Sequence, residues 1–461
     1  MKTIIKFVAT VIFVAALIGG CAKKTSTSWK SIQNPEAVAQ LKSFVAEKEA
    51  QAKADGSDAP PEFKAYFAAA EKGDWLAVSN TFNDFSKHAP QYQHFGTNDE
   101  RLRGVKWAAV VEIWGALYAF NVSDEKYSAA FGNDIIKSIP PGSIYFGGTD
   151  SGRFVITAMQ KSHVNGDPFF TLTQNALADG TYLDYLRSIY GDKIKIPTQE
   201  DLQKCFRDYT EDAQRRMQNH QLKPGENVHV DGNGHVQVSG QVAVMEVNGL
   251  IAKTIFDQNP DREFYIEESF PLDWMYPYLE PQGLIFKINR QPLPELSDEI
   301  VQRDHDYWSK YVAPMIGGWL NDDTLVEEVA AFSKRVFLQR DFSGFKGDPL
   351  FIQNAISREM FSYLRSNIAD VYVWRMNHAA TSDEKNRMAH EADFAFRQAL
   401  ALCPYMSGTV SSYVDLLKGQ KRIADAILVA ETAAQFPASQ NSDPRSCRRL
   451  VAQLKRLQGV K

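Results

Sequence analysis

Between residues 134 and 290 the spacing of apolar residues changes repeatedly, and this limits the fold more tightly than any other feature of the chain. Short apolar runs at residues 143–146, 169–172, 264–267 and 284–288 read as strands. Between them, residues 153–162, 182–190, 198–218 and 242–257 read as helices, and 274–279 as a short one. Strands alternating with helices predict a mainly parallel sheet with crossover connections. One segment breaks the alternation. Val228 and Val230 alternate up to Asp231-Gly232-Asn233-Gly234, and Val236 and Val238 alternate away, which predicts a hairpin inserted at residues 227–239.

Both ends of the chain read as helical. Ala, Lys, Glu and Gln dominate residues 36–53, and a Gly/Pro-containing break follows at 55–61. Phe63, Phe67 and Ala70 then lie at helical spacing, Gly73-Asp74 turns, and Trp75, Val78, Phe82 and Phe85 line a further helix before Pro90. A third carries Trp107, Val111, Trp114 and Leu117. At the other end, Ala392, Phe396, Ala399 and Pro404 are followed by Tyr413, Leu416, Leu417, a turn at Gly419, and Ala426, Ala430, Ala433 and Pro437. This run resembles tetratricopeptide repeats, whose period is ~34 residues and whose paired helices approach closely where one side presents Ala. Gly73, Phe82 and Pro90 resemble a degenerate copy. The basic run at residues 445–456 has Leu450, Leu454 and Leu457 at helical spacing and reads as a capping helix.

The expected fold class is therefore α/β with helical flanks: a Rossmann-like, mainly parallel sheet at residues 134–295, between helical regions at 36–133 and 296–461. A length of 461 residues accommodates such an arrangement. With 44% hydrophobic and 23% charged residues the chain is globular, and a net charge of −5 argues against nucleic-acid binding through bulk electrostatics.

The first twenty residues differ from the rest. Lys2 and Lys6 precede a charge-free apolar run at residues 7–20, too short to span a bilayer as a helix, which takes ~20 residues. A basic start, apolar middle and small residues before a break have the form of a secretory signal. The junction Leu17-Ile18-Gly19-Gly20-Cys21 resembles the bacterial lipoprotein signal. That resemblance implies a signal peptide at residues 1–20, cleavage before Cys21, acylation of Cys21, and a tether at 21–35. Two or three acyl chains anchor a protein stably. Ala22 resembles the residue of lipoproteins sent to the outer membrane rather than held at the inner one. Cleavage removes two lysines and no acid, so the formal charge moves from −5 to −7. Of the other cysteines, Cys205, Cys403 and Cys447 fit no metal motif. A Cys403–Cys447 bridge and three buried thiols are both open.

Three of the expected strands end in polar clusters: Gly147-Gly148-Thr149-Asp150-Ser151-Gly152, Thr173-Gln174-Asn175, and Glu267-Glu268-Ser269. Ligands of open α/β sheets bind outside the carboxyl ends of the strands. Paired glycines before a helix start offer backbone N–H groups to an anion or a hydroxyl-rich ligand. The candidate ligand-binding residues are Thr149, Asp150, Ser151, Arg153, Gln174, Asn175, Glu267 and Glu268. The plainer alternative is that Asp150 or Ser151 caps the following helix. The loop breaks the G-x-G-x-x-G spacing and lacks a P-loop lysine, so no nucleotide cofactor is expected. Asp150 with Glu267 or Glu268 has the residue types of a glycosidase pair, but no spacing fixes a catalytic residue. No metal is expected either: His235 and Val242 replace ligands of a calcium loop, and His229 and His235 read as a solvated face.

The stretches Ile139-Pro140-Pro141-Gly142-Ser143-Ile144-Tyr145-Phe146, Arg262-Glu263-Phe264-Tyr265-Ile266 and Leu279-Glu280-Pro281-Gln282-Gly283-Leu284, with the Asp150 loop, resemble the soluble extracytoplasmic region of bacterial proteins similar to protein O-mannosyltransferases. The resemblance covers about a third of the chain and contains no catalytic motif. The multispan membrane portion of those proteins is missing from this sequence, so the resemblance implies an accessory or binding role in the envelope rather than glycosyl transfer. The expectation is a lipid-anchored envelope protein. Its helical repeats would hold a protein partner and its α/β cleft a small polar or glycan ligand. The alternative is an envelope enzyme acting on carbohydrate.

Overall fold

A computed structural model of the chain describes residues 35–52, 61–88, 106–122, 125–159, 168–231, 236–267 and 272–459. The chain is α/β with helical flanks, and it divides into two compact units. One unit draws on residues 1–121 and 139–274, the other on 122–138 and 275–461. These units cut across the expected boundaries at 134 and 295. The amino-terminal helices fold with the parallel strands, and the last two strands fold with the carboxy-terminal helices.

In the first unit, helices α1 (Pro35–Ala52), α2 (Pro61–Glu71), α3 (Trp75–His88) and α4 (Trp107–Val122) form an aromatic-rich group. Phe63 stacks on Phe85 at 4.3 Å and Phe82 on Trp114 at 4.8 Å. Gly73 makes the turn between α2 and α3 with φ of +67°, a conformation only glycine adopts freely. Three strands follow: β1 (Ile144–Gly147), β2 (Phe170–Thr173) and β5 (Phe264–Glu267). Strand β1 pairs in parallel with both of the others. All twelve of their residues are buried, as expected for parallel strands covered on both faces. The helices α7 (Gly180–Tyr190), α8 (Gln199–Gln218) and α9 (Gln241–Gln258) lie between β2 and β5 in the chain. Thr198 opens α8 with a reciprocal capping box to Asp201. The hairpin of β3 (Asn227–Val230) and β4 (Val236–Ser239) is antiparallel and packs on α8 and α9. Its turn residues 232–235, including His235, lie outside the described residues.

The helix expected at 153–162 is different. A wide π-helical turn runs from Ser151 to Val155 and α6 (Ile156–Met159) follows as α-helix; residues 160–162 lie outside the described residues. Gly152 and the β-branched Val155, Ile156 and Thr157 are weak helix formers, so local preference gives a regular helix little support.

The second unit contains α5 (Glu125–Ser138) and the antiparallel pair β6 (Leu279–Gln282) and β7 (Ile285–Ile288). The last strand is thus antiparallel to a neighbour that Pro281 hides in the sequence, since proline argues against strand. Gly283 turns the pair with φ of +63°. The short helix expected at 274–279 contracts to one 3₁₀ turn, Tyr276–Tyr278, with Pro277 inside it. The helices that follow are α10 (Asp298–Ile316), α11 (Val326–Ser333), α12 (Pro349–Gln353), α13 (Ala355–His378), α14 (Ser382–Leu402), α15 (Ser407–Gly419), α16 (Ile423–Ala433) and α17 (Pro444–Leu457). Helices α13 to α17 pack on their successive neighbours along the chain, with Ala392, Phe396, Ala399, Ala426 and Ala430 fully buried. Gly419 ends α15 inside the helix, and Lys421, with φ of +61°, carries the turn instead. Cys205, Cys403 and Cys447 are free thiols, all buried. Among the described residues no helix is long and apolar enough to cross a membrane.

Candidate functional site

The parallel pairing brings the three polar strand ends of the first unit together. Gly147 stands opposite Thr173 on one side and Glu267 on the other. The loop after β1 therefore runs over the end of β5, and Glu267 grips it. One carboxylate oxygen, Oε2, accepts from the backbone N–H groups of Gly148 (2.9 Å) and Thr149 (2.7 Å). The other, Oε1, accepts from the Thr149 hydroxyl at 2.8 Å. The Thr149 hydroxyl in turn accepts from Gly152 N–H at 3.0 Å. Thr149, rather than Asp150 or Ser151, is thus the residue that closes the turn; Asp150 makes no side-chain cap. From beneath, the Tyr145 hydroxyl donates to the Gly152 carbonyl at 2.9 Å.

Gly152 is required by proximity. A Cβ at this position would lie 2.0 Å from Glu267 Oε2, closer than any methyl group is tolerated. Glu267 is itself buried, and burial pushes its carboxyl up to about 7 against the pull of its three hydrogen bonds. Burial, with the Glu267 charge adding to it, also holds the Tyr145 hydroxyl well above the ordinary tyrosine range.

This geometry corrects one expectation. The N–H groups of Gly148 and Thr149 are not offered to an incoming anion, because the protein's own carboxylate already occupies them. What faces outward is a rim. Thr149, Asp150, Ser151 and Asn175 are half-buried, and the buried Arg153 is paired with Asp150 through its guanidinium. Arg153 also donates weakly to Asn175 Oδ1 at 3.4 Å, and Asn175 Nδ2 reaches the Gly148 carbonyl at 3.5 Å. Gln174 is fully buried in the 3₁₀ turn after β2 and does not belong to the rim. Glu268 and Cys21 lie outside the described residues.

Several supporting residues escaped the sequence reading. Asn248 on α9 is fully buried, donates to the Asn175 carbonyl at 3.2 Å, and accepts from Ala178 N–H at 2.7 Å, so it fixes the loop after β2. Its only local signal is a polar residue flanked by the apolar Val247 and residues 249–252. Lys48 on α1 is buried in an ion pair with Glu112 on α4, and its ammonium donates to the Tyr185 hydroxyl at 2.9 Å. Nothing in the local pattern of a Lys- and Glu-rich helix marks Lys48 as internal. Among the described residues no group of three or more His, Cys, Asp or Glu side chains is arranged to hold a metal ion. Compared with protein-family models, curated proteins and solved structures, the chain matches none.

Proposed function

We propose that this chain is a lipid-anchored protein of the bacterial cell envelope, on the outer rather than the inner membrane, that acts as an interaction scaffold. Its carboxy-terminal helices hold a protein partner in the manner of tetratricopeptide repeats. The rim formed by Thr149, Asp150, Ser151, Arg153 and Asn175 binds a small polar or glycan ligand. The observation that carries the ligand reading is the pinned loop. Glu267 rigidifies the backbone from below, while Asp150 and its neighbours remain half-exposed at the carboxyl ends of three parallel strands. A preordered polar rim with its anion-binding donors already taken suits neutral hydroxyl groups better than phosphates. The burial of alanines along α14 and α16 supports the repeat reading.

Thermal-shift screening of the full chain against neutral sugars, sugar acids and nucleotides tests the ligand site, since binding raises stability by RT ln(1 + [L]/Kd). A neutral sugar is expected to raise the midpoint, and Asp150→Ala to abolish the rise. No shift with any sugar would overturn the ligand reading. The anchor is tested separately by labelling with a radioactive fatty acid: Cys21→Ala is expected to lose the label, and a variant that still labels refutes acylation at that residue.

An enzyme acting on carbohydrate is the second reading, favoured by one observation. A carboxyl raised to about 7 carries a proton near neutral pH, as a general acid must. Its three protein hydrogen bonds and its contact with Gly152 weigh against it. Release of reducing sugar by the wild-type chain, lost in Glu267→Gln, would establish the enzyme; binding without release favours the scaffold.

A further inference from the structure

A polar centre lies inside the second unit. Asp304 on α10, Arg365 and Tyr372 on α13, and Gln398 on α14 are all buried, Arg365, Tyr372 and Gln398 completely. Asp304 Oδ2 accepts from Arg365 Nη1 at 2.7 Å and from the Tyr372 hydroxyl at 2.8 Å. Arg365 Nε donates to Gln398 Oε1 at 2.7 Å. Trp308, one helical turn beyond Asp304 and fully buried, has its ring centre 5.2 Å from the guanidinium carbon.

Four polar atoms of this set have no hydrogen-bond partner among the described residues: Asp304 Oδ1, Trp308 Nε1, Arg365 Nη2 and Gln398 Nε2. Covalent geometry holds three of them together. Each belongs to a carboxylate, guanidinium or amide group whose other atoms are bonded within the set. Leaving one such atom bare costs about 1–3 kcal/mol, and native cores leave few. Four around one guanidinium therefore point to a guest.

The chemistry of the four atoms defines it. Asp304 and Arg365 neutralise each other, so the guest carries no net charge. An anion would face the bare Asp304 oxygen, and a metal cation would face three N–H donors. The guest must donate to Asp304 Oδ1 and accept from Trp308, Arg365 and Gln398, which is the amphoteric pattern of water. A single water has too few lone pairs for three donor groups and other waters, so about two are needed. We infer that the Asp304–Trp308–Arg365–Gln398 centre is a binding site for internal water, with about two molecules bridging the carboxylate to the three donors. Water here joins α10, α13 and α14 through hydrogen bonds that no protein group supplies.

A crystal structure of the full chain, at a resolution that places ordered solvent, tests this directly. Density within hydrogen-bonding reach of Asp304 Oδ1 and at least two of the three donors is expected. A dry centre, or the four atoms paired with protein groups, would overturn the inference. In solution, oxygen-17 relaxation dispersion counts long-lived waters. Gln398→Leu is expected to hold fewer than wild type, and an equal count would overturn the site. Should Gln398→Leu fail to fold, Trp308→Phe removes one donor while keeping an aromatic ring in place and is read by the same count.

Discussion

The hydroxyl of Tyr190 makes two hydrogen bonds to one residue, accepting from Thr171 N–H at 3.1 Å and donating to the Thr171 carbonyl at 2.9 Å. Strand β2 pairs with β1 through the N–H of Phe170, so Thr171 and Thr173 point their backbone groups the other way. Helix α7 covers that side: Tyr190 serves Thr171, and the Tyr182 hydroxyl accepts from Thr173 N–H at 2.7 Å. A strand edge that would otherwise offer itself for pairing is satisfied by two phenols from one helix.

Tyr190→Phe keeps the ring against Phe170 but strips both bonds from buried Thr171. A loss of about 1–3 kcal/mol is expected, with Tyr182→Phe costing less because it removes one bond. Urea denaturation should show a lower midpoint with an unchanged slope.

Gly152→Ala drives a methyl group into the Glu267 carboxylate. An overpacking cost of about 1–3 kcal/mol is expected. If the contact is the cause, Gly152→Ala in a Glu267→Ala background should cost less than in wild type, as a double-mutant cycle of denaturation midpoints will report.

Glu267 also makes stability depend on pH. Its folded carboxyl titrates near 7, above the ordinary 4.5, so the folded state binds more protons than the unfolded state between those values. Stability from this group is therefore full below about 4.5 and falls as pH rises towards 7, by up to ~1.4 kcal/mol per pH unit. Glu267→Gln should flatten the difference in unfolding free energy across that window.

His305 acts in the same sense at higher pH. Its ring stacks on Phe394 at 4.4 Å, Nδ1 lies 3.1 Å from Glu391 and Nε2 3.5 Å from Asp322. The hydrogen bond to Glu391 raises its pKa above 6.5, against the opposing effect of burial. The stabilisation is complete below 6.5 and is lost as pH rises through the higher folded value. Proton NMR titration should find its midpoint above 6.5, and His305→Gln should remove that loss of stability.

The four-residue runs that became β1, β2 and β5 were legible because each is mostly apolar, and the hairpin because valines alternate about a glycine-rich turn. The helix expected at 198–218 was legible as well, and it opens at residue 198 on a cap whose chemistry is local. Pro281 concealed β6, and no local pattern announced the π-helical turn at Ser151. The clustering of Asp150, Asn175 and Glu267 followed from the rule that parallel strands end together. Their roles did not.

The sequence by itself determined where the chain alternates between strand and helix, which positions are apolar, and where polar residues interrupt them, since these depend on spacing over a few residues. The tertiary structure alone decided that Glu267 fills the N–H groups of Gly148 and Thr149, that Lys48 is internal, and that Arg365 meets Asp304. Glu267 and Thr149 are 118 residues apart, and Arg365 and Asp304 are 61. A buried charge must find a partner wherever folding delivers one, and neither the distance nor the partner is encoded in its neighbours along the chain.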